Sequence, residues 1–129
     1  MRPNKYLFIS QKENLQAFFK VLKDLEGMRY KAVSILYFAD SKSDILFPAE
    51  LEFWKSSLKW NVSVVLKDGK TESDIYCKGS IYTANSYERL PSPSSDIEVF
   101  GCVPQLSLIT IAEALDKVGW NTKAFHWLN

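Results

Sequence analysis

"IEVFGCVPQLSLITIAEALDKVGW", residues 97–120, holds the pattern that decides the fold. An apolar stretch runs through Gly101 and Pro104 directly into Leu108, Ile111, Ala112, Leu115 and Val118, which are spaced as one face of a helix. Gly101 permits a sharp turn at a strand end. Pro104 suits a first helical turn, whose free N–H groups can face an anion such as a phosphate. Gly and Pro at such a junction are also plain punctuation, so the unit is either a ligand site or only the frame of one.

The same strand-then-helix order recurs upstream. "KYLFIS" (5–10) reads as a buried strand, followed by Leu15, Phe18, Phe19, Leu22 and Leu25 at helical spacing and by Gly27 at a C-cap position. "KAVSILYFA" (31–39) is apolar on both faces, as a strand covered by helices on each side would be. Pro48 then opens a helix with the stripe Leu51, Trp54 and Leu58, and "WNVSVVLKD" (60–68) reads as a third strand. "GKTESD" (69–74) and "PSPSSD" (91–96) read as loops, with an extended piece and a short helix between them. "IEVFG" supplies a fourth strand and "KAFHWL" (123–128) a fifth. Strands alternating with helices predict an α/β, Rossmann-like doubly wound domain over residues 1–129, a five-stranded, mostly parallel sheet with helices on both faces. Ligands in such sheets bind beyond the carboxyl ends of the strands, which singles out the loops at 10–14, 39–46, 67–74 and 100–105.

Composition narrows the function. The 129 residues are 47% hydrophobic and 14% aromatic, enough for a real core. With 16 Lys plus Arg against 15 Asp plus Glu, no global field marks the chain for nucleic acid or for an anionic membrane. No apolar run approaches the ~20 residues of a membrane span, and "MRPNKYLFIS" lacks the features of a signal peptide, so the expectation is a cytoplasmic protein with reduced thiols. Cys77, Cys102 and the lone His126 share no zinc-site spacing. One His without a partner at motif spacing gives no support to hydrolase chemistry, and no acidic pair follows the first strand to hold Mg²⁺ as a receiver domain would.

"VFGCVPQL" (99–106) resembles the "V-C-G-P-P-P-M-M" segment of the ferredoxin-reductase-like family, the NAD(P)H-dependent flavoprotein oxidoreductases: Val99, Gly101 and Pro104 match, while Phe100 and Cys102 depart from it. "SILYFADSKSDILFPAELEFW" (34–54) is similar to that family's second strand and helix, "L-L-Y-G-x-R-x-x-x-D-I-L-F-x-x-E-L". "KGSIYTANSYERL" (78–90) resembles "G-R-I-T-D-A-L", with Ser80 in place of the Arg. The likeness runs in order across nearly the whole chain. It implies the NAD(P)-binding half of a reductase of flavodoxin or ferredoxin type, which passes hydride from NAD(P)H to an FAD or FMN held by another domain or chain. Such a half does no redox chemistry alone, and its partners are a flavin-binding domain or an electron-transfer protein. These 129 residues leave no room for the flavin-binding barrel, so the expectation is a fragment or a separately acting subunit.

One stretch departs from that pattern. Where the family has a glycine-rich turn, roughly "I-A-G-G-T-G-I-T-P-F", this chain has "ISQKENLQAF" (9–18), with Gln11, Lys12 and Asn14 at the glycine positions and Ala17 at the Pro. Glycines there take positive φ and let the pyrophosphate approach the backbone, so side chains crowd that space. Lys12 can offset the loss by pairing with a phosphate. The resemblance therefore implies cofactor-binding positions at Lys12, Asn14, Lys67, Gly101, Cys102 and Pro104, with Lys67 at the adenosine ribose or its 2'-phosphate and Gly101 and Pro104 at the nicotinamide. His126 and Trp127 stand where some relatives set an aromatic against the flavin. The alternative is a degenerate member of that lineage, a protein-interaction or regulatory module that binds no dinucleotide.

Overall fold

The computed structural model describes residues 4–28, 31–68 and 75–128. The predicted loop at 69–74 lies outside them. Six strands are present: β1 (Lys5–Gln11), β2 (Ala32–Ala39), β3 (Asn61–Leu66), β4 (Tyr76–Lys78), β5 (Ile97–Cys102) and β6 (His126–Trp127). They form one sheet in the order β4-β3-β2-β1-β5-β6, and every neighbouring pair is parallel. The expected count of five falls one short because Tyr76–Lys78, in the ambiguous stretch, pairs three residues along the outer edge of β3. The last strand is shorter than "KAFHWL" suggests: Thr122–Ala124 is a 3-10 turn, and only His126 and Trp127 pair, with Phe100 and Gly101.

Period-two alternation in the strands separates the core into two layers. Phe8, Val33, Ile35, Tyr37, Val62, Val64 and Leu66 face α1 (Phe19–Leu25) and α2 (Pro48–Ser56). Leu7, Ile9, Leu36, Phe38, Val65 and Val99 face α3 (Gln105–Lys117), where Ile111 and Leu115 close the layer. Helices on both faces explain why β2 is apolar on both sides and almost wholly buried. The chain moves outward from β1 through β2 and β3 to β4, then returns to set β5 on the other side of β1. The switch point of the sheet therefore lies between β1 and β5.

The first helix differs from its sequence pattern. Lys12–Phe18 is a 3-10 helix of seven residues, and the α-helix starts only at Phe19. Runs of 3-10 beyond three or four residues are uncommon because their hydrogen bonds are poorly aligned. Here tertiary burial holds the segment: Leu15 is 0% and Phe18 2% exposed, each contributing about 1.5–3 kcal/mol. Helix α2 begins at Pro48 as expected, behind Phe47, which sits at φ 55 and stacks on Phe19 with centroids 4.0 Å apart. In α3, Pro104 is the residue before the helix rather than part of its first turn, and Val118 lies beyond its end, exposed rather than on the apolar face.

Candidate functional site

The carboxyl ends of β1, β2 and β3 finish in Gln11, Asp40 and Lys67, which continue the row of side chains facing α3. Together with Phe38, Ala39, Val65, Gly79, Ser80, Ile81, Tyr82 and Ser107 they line a cavity of about 190 Å³. Ser107 comes from the first turn of α3, and the 79–82 segment follows the edge strand β4. Backbone bonds from Lys67 N–H to the Ala39 carbonyl (3.1 Å) and from Asp68 N–H to the Asp40 carbonyl (2.8 Å) fix the β2 and β3 ends against each other. The Gln11 Oε1 is buried and has no hydrogen-bond partner.

Beside this cavity the chain leaves β1 through Lys12, which takes φ 49. The left-handed geometry expected of a glycine is thus present without the glycine, at a cost on the order of 1–2 kcal/mol. Tyr37 holds it: its buried hydroxyl donates to the Lys12 carbonyl at 2.8 Å and accepts from the Leu46 N–H at 3.1 Å. Burial raises the Tyr37 phenol pKa. The Lys12 ammonium reaches across to Asp40, Nζ to Oδ2 2.7 Å, and that contact raises its pKa.

The neighbouring β5 end is built differently. A Cβ on Gly101 would lie 2.4 Å from Trp127 Cζ3 and 2.5 Å from Cε3, so glycine is needed there for the indole to lie on the strand. Leu128 N–H donates to the Gly101 carbonyl at 2.8 Å. Phe100 is sandwiched between Phe8 and His126, with centroids at 5.6 and 4.8 Å, and His126 Nε2 sits 2.6 Å from Glu98 Oε1. The helix that follows β5 is 13 residues of regular α-structure.

Of the residues singled out from the sequence, Lys67 lines the cavity. Lys12 stands at its mouth through Asp40, and Gly101 and Pro104 frame the entrance to α3. Asn14 and Cys102 lie on the α1 face instead, where Asn14 Nδ2 points at the buried Cys102 Sγ 3.7 Å away. Sequence reasoning did not single out Gln11 as a lining group, nor Asp40, Ser80, Tyr82 and Ser107. Asp40 was detectable as the first polar residue after the apolar run Ile35–Ala39 that ends β2.

The cavity thus lies at the carboxyl ends of parallel strands beside the switch point of the sheet, where doubly wound α/β domains bind ligands. The chain is similar over 98% of its length to the cytochrome b5 reductase domain of Ulva prolifera nitrate reductase, with a TM-score of 0.81 and 16% identity, covering 49% of that chain. It is similar, again over 98% of its length, to the flavohem-like FAD/NAD-binding domain of nitric oxide dioxygenase from Vibrio cholerae O1 biovar El Tor, with a TM-score of 0.78 and 17% identity, covering 51% of that chain. A ferredoxin NADP+ reductase from Neisseria gonorrhoeae with bound FAD and NADP matches 91% of the chain at a TM-score of 0.64 and 13% identity. The chain thus spans about half the length of these structures. No protein-family model and no curated protein matches the sequence. Among the described residues no helix is long and apolar enough to cross a membrane.

The residues present fit a dinucleotide unevenly. The β5–α3 end offers the N-terminus of a full α-helix, where Ser107 N–H is bonded to the Pro104 carbonyl at 2.9 Å, and Gly101, whose open side Trp127 covers. The β1 end offers a 3-10 turn, a lysine already paired, and a cavity below the about 300 Å³ at which small-molecule pockets begin.

Proposed function

We propose that residues 1–129 form the nucleotide-binding domain of an NAD(P)H-dependent flavoprotein oxidoreductase of flavodoxin or ferredoxin reductase type. The observation that carries this reading is the cavity lined by Gln11, Asp40, Lys67 and Ser107, set where β1, β2 and β3 end and where α3 begins. A bound reduced nicotinamide supplies a hydride, and an FAD or FMN on another domain or chain receives it. In this reading Gly101 and Pro104 position the nicotinamide end over the first turn of α3. Lys67 meets the adenosine ribose or its phosphate, and Lys12 meets the pyrophosphate. Asn14 and Cys102 support the strand end from the α1 face, through their own contact. The partner is a flavin-binding domain or an electron-transfer protein. The working compartment is the cytoplasm, where Cys77 and Cys102, both buried in the core, stay reduced.

The Lys12–Asp40 bridge and the small cavity favour a second reading, a domain of the same lineage that serves as a protein-interaction or regulatory module. Calorimetric titration with NADH and NADPH separates the two. Saturable heat with either nucleotide is expected from the first reading. Silence at millimolar nucleotide would leave only the second.

A further inference from the structure

We propose that the Lys12–Asp40 pair is an autoinhibitory latch on the cleft: the Asp40 carboxylate holds the ammonium that a diphosphate needs, and entry of the ligand exchanges carboxylate for phosphate. The inference rests on the reading of this cleft as a nucleotide site and concerns its regulation. Four observations place the latch. Lys12 has a fixed origin, since its carbonyl is tied by the buried Tyr37 hydroxyl and its backbone is held in the left-handed turn. Asp40 has a fixed origin too, because its carbonyl accepts from Asp68 N–H at the β3 end. The two side chains therefore meet across the ends of adjacent strands, at 2.7 Å, with Asp40 itself lining the cavity. Both remain accessible, at 41% and 45% exposure, so solvent screens the bond and an arriving anion can displace it.

A phosphate approaching Lys12 meets a carboxylate of like charge already bound to its partner. Coulomb repulsion and competition for the same ammonium act together against it. Removing the charge from Asp40 while keeping its shape should free Lys12 without disturbing the strand end.

The test is calorimetric titration of the full chain with inorganic pyrophosphate and with ADP at low salt, comparing wild type, Asp40→Asn, the double variant Lys12→Ala with Asp40→Asn, and Asp24→Asn. Asp24 is exposed on α1, so its variant makes the same change in net charge away from the cleft. The latch predicts that Asp40→Asn binds both probes about threefold tighter than wild type, the scale of a solvent-screened ion pair. It also predicts that the gain vanishes in the double variant and that Asp24→Asn shows none. Wild type and Asp40→Asn binding equally well would overturn the latch and leave the nucleotide reading standing. A gain matched by Asp24→Asn would overturn it as well, by assigning the effect to overall charge. Absence of binding in every variant would overturn the nucleotide reading and the latch with it.

Discussion

The ends of β1 and β5 lie side by side in parallel register, Ser10 opposite Cys102, yet they leave the sheet in different ways. From β5 the chain passes Gly101, whose missing side chain lets Trp127 lie on the strand, and enters a regular helix behind Pro104. From β1 it passes Lys12 in a left-handed conformation and enters a 3-10 segment held by Leu15 and Phe18. One junction is fixed by what the backbone permits, the other by what the core pulls in. A left-handed turn is therefore present at β1 without the glycine that would make it cheap, and a lysine and its carboxylate partner lie beside it.

The largest effect is expected at Leu15. If burial holds the 3-10 segment, Leu15→Ala, at a fully buried site, should cost about 3 kcal/mol in urea unfolding and loosen amide protection from Lys12 to Phe18. A cost below about 1 kcal/mol would mean the segment is set by its own hydrogen bonds. At the other junction, Gly101→Ala should cost about 2 kcal/mol through the clash with the Trp127 ring. Trp127→Ala in the same chain should recover much of that loss, a coupling that a double-mutant cycle measures directly.

Smaller effects sharpen the contrast. Tyr37→Phe removes the hydroxyl that bridges the Lys12 carbonyl and the Leu46 N–H, and about 1–2 kcal/mol of stability should go with it. The same variant should unfold less steeply in alkali. The Tyr37 phenol pKa is raised in the fold, mainly by burial, so its contribution is complete below the ordinary value of 10.0 and is lost as pH rises through the folded value. Removing that phenol should flatten the loss of stability above pH 10.0, read by circular dichroism. Lys12→Gly should raise the urea midpoint slightly, because relief of the left-handed lysine outweighs an ion pair that solvent screens. A lowered midpoint would mean that the bridge to Asp40 outweighs the backbone strain.

Much of this was legible in the sequence, because apolar periodicity reports burial and burial sets the layers. β2, apolar from Ile35 to Ala39, and the Leu51 and Trp54 stripe behind Pro48 sit where their spacing placed them. The edge strand Tyr76–Lys78 was legible only as an extended piece, because three residues are too few to show a period. Helical spacing from Leu15 to Leu25 also hid the 3-10 stretch, since apolar residues three apart satisfy both helices. At the site, the glycine-poor turn was readable from Gln11, Lys12 and Asn14. The role of Asp40 was not, since pairing it with Lys12 requires the register of β1 against β2, which only the fold supplies.

In the proposed reading, the cleft between the strand ends and α3 receives a nucleotide from the β5 side. Amide shift mapping of the nitrogen-15-labelled chain with NADH tests it most directly. Saturable shifts are expected at Lys67, Gly101, Cys102 and Gln105 to Ser107. Shifts confined to the Glu98 and His126 edge, or none at millimolar nucleotide, would contradict it.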